Sequence, residues 1–436
     1  MPESQPQQPH SSSSSSSSDW SESSDWSQSS DSTGRTGPSA LLLCGARLTD
    51  GRTVDVRLGS GRIEAVGTAG SLEGGDTRVC GARVDLSGYL LLPAPAEPHA
   101  HGDTALSADE DGPVSYDPKD VQRRVTEAAL LQLGHGATAL RAHVRVGDVQ
   151  GLGALAAVLQ ARRSLRGLAE LTTVAMPRLL TGVAGADGLA MLRDAVKMGA
   201  SVVGGCPDLD PDPTGYVEAV LEVASEHGCP VDLHTDATEP ARLARLAAMA
   251  GGLRPGVALG PCGGLGRLPA EVASRTADRL AAAGVTVVCL PQGGCGGVER
   301  GGTAPVRLLR AAGVRVAAGS GALRDVSNPV GRGDPLEAAY LLASRYGLRP
   351  EDAYDTVSTS ARAVLGLPEV RVEAGFPAEL LAVRGDRLSG ALSLAYSRIV
   401  VHRGRVVART SAVREYCNSA AAAELGLPRQ GRGDPS

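Results

Sequence analysis

The feature that most constrains the fold is an alternation of short apolar runs with helical stretches between residues 93 and about 365. Apolar runs predict eight strands, near Leu90–Leu92, Thr138–Val146, Leu171–Met176, Ser201–Gly204, Val231–His234, Gly256–Leu259, Val285–Leu290 and Arg315–Ala318. Helices are predicted between them over roughly 117–134, 151–163, 186–198, 216–228, 239–251, 269–283, 303–312 and 334–346. Eight strands, each followed by a helix, predict an α/β fold of the (β/α)8 barrel type.

Shorter strands and glycine turns flank this region. They occupy residues 40–92 and return over 372–410, so we expect both chain ends to build one small, discontinuous β-sandwich beside the barrel at 93–365. Residues 1–38 are rich in serine and predict a disordered tail. Its Trp20 and Trp26 indicate either a docking segment or part of a solvated extension, and 411–436 predict a loose C-terminal tail.

Composition excludes several classes of partner. A net charge of −5 gives no basic surface for nucleic acid or an anionic membrane. The eight cysteines form no Cys-x-x-Cys pair, which favours a reducing compartment over a zinc ribbon or a disulfide scaffold. No apolar run reaches membrane-spanning length, and no basic region precedes an apolar stretch at the N-terminus. We therefore expect a cytoplasmic protein. The sequence does not determine its oligomeric state, and a homo-oligomer is one of the alternatives.

Four of the eight histidines fall at predicted strand ends. His99 and His101 follow the first apolar run, His143 ends the second strand and His234 ends the fifth. Residues i and i+2 of an extended segment point to the same side, so His99 and His101 can bind one metal ion together. Each histidine taken alone is also compatible with a hydrogen-bonded structural role. Because reactive groups of such barrels stand at the C-terminal ends of the strands, the four together predict a site there.

Several motifs carry a resemblance to a known family. They are Glu97–Asp103, Arg141–Val144, Val231–Asp236 and Gly319-Ser320, the last followed by Asp325 and by Asn328–Gly331. Over about 40–410 the chain resembles the amidohydrolase superfamily, and within it the cytosine deaminase branch. The resemblance implies the same barrel and β-sandwich, and a divalent metal that activates water to attack a C–N carbon of a small heterocyclic ligand, releasing ammonia or an amine. It implies His99, His101 and His234 as ligands of one zinc or iron ion, and a substrate pocket with His143, Asp103 and Arg178.

The resemblance also implies acid–base residues that this chain lacks. The general acid would fall at Ala237, the strand 6 histidine at Pro261, and the strand 8 aspartate, both metal ligand and base, at Gly321. Neither lysine follows strand 4, which excludes a lysine-bridged pair of metals. Ordinary deamination is therefore predicted to be weak or lost, and the metal to be weakly held or absent. Two hypotheses stay open: a rebuilt hydrolase that recruits Asp236, Glu239, Asp325 or Cys262, and a non-catalytic descendant that binds a ligand or a partner.

Overall fold

The computed structural model describes residues 40–72, 81–110, 112–147, 151–293, 302–394 and 396–412. The tails predicted over 1–38 and 411–436 lie outside these residues, except for positions 411 and 412, which are in neither helix nor strand.

Eight parallel strands form the central sheet, in the order in which they occur along the chain. They are β6 (Ala96–Ala100), β7 (Ala139–Val146), β8 (Glu170–Pro177), β9 (Val202–Gly205), β10 (Val231–Thr235), β11 (Val257–Pro261), β12 (Thr286–Cys289) and β13 (Arg315–Ala318). The first and last strands approach each other through a parallel bridge between Ala100 and Gly321, which nearly closes the sheet into a cylinder. The predicted (β/α)8 barrel is confirmed.

Helices connect these strands. They are α1 (Pro118–Gly134), α2 (Gly153–Ser164), α3 (Gly182–Met198), α4 (Pro213–His227), α5 (Pro240–Ala250), α6 (Ala270–Ala282), α7 (Val306–Ala311) and α8 (Pro335–Ser344), followed by α9 (Pro350–Val357) and α10 (Thr359–Val364). The first begins where the sequence predicts, because Asp117 accepts a hydrogen bond from the Lys119 amide and Pro118 occupies the first turn. The main apolar core lies between helices and strands and is built mainly of Ala, Val and Leu. None of the described helices is both long and apolar enough to cross a lipid bilayer.

Both ends of the described chain build a second sheet. Its strands are β1 (Leu41–Arg47), β2 (Thr53–Gly59), β3 (Arg62–Thr68), β4 (Ala82–Asp85), β5 (Tyr89–Pro93), β14 (Leu380–Arg384), β15 (Arg398–His402) and β16 (Arg405–Thr410), and α11 (Leu388–Leu394) lies between β14 and β15. The antiparallel pairing of β5 with β14, Leu381 opposite Leu92, joins the N-terminal and C-terminal parts. A separate apolar cluster that includes Leu43, Ile63 and Ile399 forms its core. The structure therefore contains the predicted discontinuous β module built from both ends of the described chain.

One strand assignment is wrong. Leu90–Leu92 is predicted as the first barrel strand, but it belongs to β5 of the terminal sheet, and β6 begins the barrel. An apolar run indicates that a strand is buried but not which sheet contains it. Strand β5 is buried because it lies between β1 and β14 in the terminal sheet. His99 therefore lies on a barrel strand, and His101 directly follows that strand.

Candidate metal centre

The site is built from three strands that repeat one pattern. Each carries a charged residue two positions before a histidine: Glu97 and His99 on β6, Arg141 and His143 on β7, Asp232 and His234 on β10. All six side chains are buried, and alternate residues of a strand share one face. The barrel therefore holds a histidine layer near the strand ends and a charged layer beneath it.

Three imidazoles converge on one point. The Nε2 atom of His99 lies 2.7 Å from Nε2 of His234 and 3.3 Å from Nε2 of His101. The distance between the Nε2 atoms of His101 and His234 is 3.3 Å. Nitrogens bound tetrahedrally to one zinc ion at about 2.0–2.1 Å would be about 3.3–3.4 Å apart. Two of the three separations match this value, and the third is shorter.

The electrostatics also suit a cation. Burial and the neighbouring imidazoles lower the pKa of His99 and of His101 well below the ordinary value, and burial and His143 lower the pKa of His234 to about 3. The three imidazoles are therefore neutral near pH 7, and each offers one proton or one lone pair at Nε2. Three such atoms facing one another cannot all be satisfied by mutual hydrogen bonds. A divalent metal ion fits this set, with His99, His101 and His234 as ligands.

Glu97 fixes the backbone beneath this set. Its carboxylate accepts hydrogen bonds from the amide of His99 at 3.0 Å and from the amide and hydroxyl of Ser320 at 2.9 Å and 2.5 Å. Gly319 permits this approach of β13, because a Cβ there would lie 2.6 Å from Oε1 of Glu97 and 3.0 Å from Cβ of His99. Glu97 thus joins the first barrel strand to the segment that follows the last one, directly below the candidate ligand His99.

Arg141 and Asp232 form a buried ion pair in the charged layer. Nη1 of Arg141 lies 2.8 Å from Oδ2 of Asp232, with both side chains at most 2% exposed. Nη2 of Arg141 donates to the carbonyl of Val364 at 2.7 Å, which ties the barrel interior to α10. Burial alone would raise the pKa of Asp232, but its contacts with His143 and Arg141 hold the pKa below its ordinary value. A carboxylate is therefore kept ionised under the histidine layer.

Comparison with known proteins identifies the family. The family model described as the amidohydrolase family matches residues 123–408, well over half of the chain. The chain belongs to the amidohydrolase family. The resemblance inferred from the motifs is confirmed.

The chain is similar to proteins described as deaminases and to an aminohydrolase. A pterin deaminase from Rhizobium rhizogenes is 28% identical over 365 residues, which cover 76% of this chain and 83% of that protein. The solved structure of N-isopropylammelide isopropylaminohydrolase from Burkholderia multivorans matches with a TM-score of 0.76 and 27% identity, over 86% of this chain and 100% of that one. The fold of 5-methylcytosine deaminase from Klebsiella pneumoniae matches with a TM-score of 0.75 at 24% identity, over 87% and 100%.

The three positions where the resemblance implies acid–base residues border the site. Ala237 is buried just after β10 and has a left-handed backbone, with φ of 58°. Pro261 ends β11 and pairs with Thr235, the residue after His234. Gly321 bridges Ala100, which lies between His99 and His101, and its φ is 71°. None of these three side chains can transfer a proton.

The candidate replacements are engaged elsewhere. Asp236 accepts hydrogen bonds from Arg267 and from the amide of Gly264 at 3.0 Å. Glu239 is exposed and pairs with Arg242 at 3.1 Å. Asp325 is buried and caps its own loop, accepting from the amides of Ser327 and Asn328 at 2.8 Å and 3.0 Å.

The predicted thiol Cys262 and the predicted pocket residues Asp103, Arg178 and His143 differ in burial and in their contacts. Burial raises the pKa of Cys262, so this thiol stays protonated. Burial also raises the pKa of Asp103, and neither of its carboxylate oxygens has a hydrogen-bond partner among the described residues. Arg178 follows β8 with an exposed side chain. His143 is the predicted pocket residue that lies within the histidine layer, with its ring centroid 4.3 Å from that of His99.

Sequence reasoning assigned no role to Glu97, Arg141 or Asp232, although each lies within a quoted motif. The signal that could have found them is the two-residue period of a strand. A charged residue two positions before an inward-facing histidine must also face the barrel interior.

Proposed function

We propose that this amidohydrolase is a metal-dependent hydrolase of a C–N bond in a small nitrogen heterocycle, and that its turnover by the family's ordinary deamination route is weak. The observation that carries the proposal is the convergence of the Nε2 atoms of His99, His101 and His234 within 2.7–3.3 Å of one another. The similarity to a pterin deaminase supports a heterocyclic substrate.

The chain's own residues would divide the work as follows. His99, His101 and His234 would hold one divalent ion, zinc or iron, which when bound lowers the pKa of a water molecule and so supplies the nucleophile. Asp103 is buried with both carboxylate oxygens unpaired among the described residues, so ring N–H groups of a heterocycle would satisfy them. The products would be ammonia or an amine and a carbonyl-bearing ring.

Weak turnover follows from the residues at 237, 261 and 321. Loss of one general acid or base typically costs about 10²–10⁴-fold in rate. Alanine, proline and glycine at these positions leave water to move the protons. The same observation favours a second candidate function, a non-catalytic module that keeps the metal and the pocket to bind a heterocyclic ligand.

The experiment combines metal content with product release. The purified chain is loaded with Zn²⁺ or Fe²⁺, its metal is measured by mass spectrometry, and ammonia or amine release is followed on pterins, pyrimidines and triazines. We expect one ion per chain and turnover below about 1 s⁻¹, the lower end of ordinary enzyme rates. His234→Ala should abolish both, whereas His227→Ala, an exposed residue at the end of α4, should change neither.

The outcomes separate the two functions. Metal binding with no product from any substrate class would favour the non-catalytic module. Absence of metal from the wild-type chain would overturn the proposed hydrolase. Turnover of cytosine at roughly 10–10³ s⁻¹ would show that the missing groups have been replaced.

A further inference from the structure

His143 is the member of the histidine layer that the proposed function leaves without a role. Its ring centroid lies 4.3 Å from that of His99, 4.8 Å from that of His234 and 5.4 Å from that of His101. One nitrogen from each of His99, His143 and His234 lies within 4.8 Å of the others. His143 is fully buried, and neither of its ring nitrogens has a hydrogen-bond partner among the described residues.

We propose that His143 is a fourth protein ligand of the metal, bound through Nδ1, and that it takes the place of the carboxylate ligand that Gly321 cannot supply. This inference rests on the proposed function in so far as it requires a metal at His99, His101 and His234. It assigns this chain a site of four neutral imidazoles. Imidazole ligands suit zinc, iron, cobalt and nickel, so the site is expected to take a divalent ion of this group.

The distances permit this arrangement. Four nitrogens that share one tetrahedral zinc ion are about 3.3–3.4 Å apart. The nitrogens of His99, His143 and His234 lie within 4.8 Å of one another, so the widest pair would have to approach by at most about 1.4 Å when the ion binds.

The surroundings of His143 match those of a metal ligand. Metal-bound histidines commonly donate their other ring N–H to a carboxylate, which sets the tautomer and the ring orientation. Nε2 of His143 lies 3.4 Å from Oδ1 of Asp232, and Arg141 holds the other oxygen of that carboxylate at 2.8 Å. At 3.4 Å these two atoms do not form a hydrogen bond, but a proton placed on Nε2 would face Oδ1 of Asp232 and would leave the lone pair on Nδ1. A buried nitrogen with a free lone pair beside three converging imidazoles is explained by an ion there.

The test measures coordination and affinity rather than activity. X-ray absorption of the Zn²⁺-loaded wild-type chain counts imidazole ligands without any substitution, and we expect four. In parallel, Zn²⁺ affinity is measured by competition with a chelator for the wild type, His143→Ala, His143→Gln and the control His227→Ala. Loss of a residue that only supports a ligand costs about 10–100-fold in metal affinity, so loss of His143 should cost about 100-fold or more. His227→Ala should equal the wild type.

Each outcome decides the question. Four imidazoles with the expected loss support the inference, and the absorption spectrum of bound Co²⁺ should then change in the His143 variants. Three imidazoles, or Zn²⁺ affinity within about threefold of the wild type in His143→Gln, would overturn it. If the His143 variants do not fold, as judged by circular dichroism, the ligand count of the wild-type chain alone decides. A wild-type chain that binds no Zn²⁺ would instead overturn the proposed function on which the inference rests.

Discussion

Removal of Arg141 should destabilise the barrel strongly, because it leaves a buried negative charge without its partner. Nη1 of Arg141 and Oδ2 of Asp232 are 2.8 Å apart, and at an effective dielectric constant of about 20 two unit charges at that distance attract by about 6 kcal/mol. The cost of removing both charges from water offsets much of this attraction. Breaking a buried pair by deleting one partner nevertheless costs about 3–5 kcal/mol, since the other charge stays buried.

Arg141→Met, which roughly keeps the side-chain length, is therefore expected to lower the free energy of unfolding by about 3–5 kcal/mol. That is a large part of the roughly 5–15 kcal/mol typical of a folded protein. Urea unfolding of Arg141→Met, Asp232→Asn and the double variant measures it. The double variant should lose less than the sum of the single losses, because it contains no uncompensated buried charge.

A surface ion pair provides the matched control. Nε of Arg193 lies 3.0 Å from Oε2 of Glu226, with the side chains 30% and 41% exposed. Arg193→Met should cost no more than about 1 kcal/mol. If Arg141→Met costs as little as Arg193→Met, or if the losses in the double variant simply add, the pair does not stabilise the barrel as argued.

Three further outcomes are expected. Gly321→Asp alone should lower stability by about 1–2 kcal/mol in a urea titration without raising Zn²⁺ affinity, because φ is 71° and the new Cβ would lie 3.0 Å from the carbonyl oxygen of Gly293. Gly321→Ala should lose the same amount of stability as Gly321→Asp. If Gly321→Asp binds Zn²⁺ more tightly than the wild type and Gly321→Ala does not, the prediction is wrong. Glu379→Gln should cost about 1–3 kcal/mol at pH 7 and much less near pH 3. Burial would raise the pKa of Glu379, but its contacts with His402 lower it below 4.5, so the stabilisation is present above pH 4.5 and is lost as pH falls. A pH-independent loss would refute that assignment. Chelation of bound Zn²⁺ should lower the melting temperature of the wild type and leave that of His234→Ala unchanged, and an equal shift in both would place the ion elsewhere.

The sequence by itself determined the barrel and the positions of the histidines. The alternation of apolar runs with helical stretches reflects burial on both faces of parallel strands, so seven of the eight barrel strands, β7 to β13, could be predicted. Signals such as Asp117-Pro118 also locate helix ends, because capping depends on neighbours along the chain. The prediction that Ala237, Pro261 and Gly321 occupy acid–base positions also comes from the sequence, because it depends only on spacing from the motifs.

Only the tertiary structure decided which sheet holds Leu90–Leu92 and which side chains share the site. The apolar run fits either sheet, and its place is fixed by pairing with β14, almost three hundred residues away. The contacts of Arg141 with Asp232 and of Glu97 with Ser320 likewise join strands that are remote in sequence. The pattern of a strand indicates which face a residue lies on, but it does not indicate which residue of another strand contacts that residue inside the barrel. For that reason the pairing of Arg141 with Asp232, and the distances from His143 to His99 and His234, could be seen only in the folded chain.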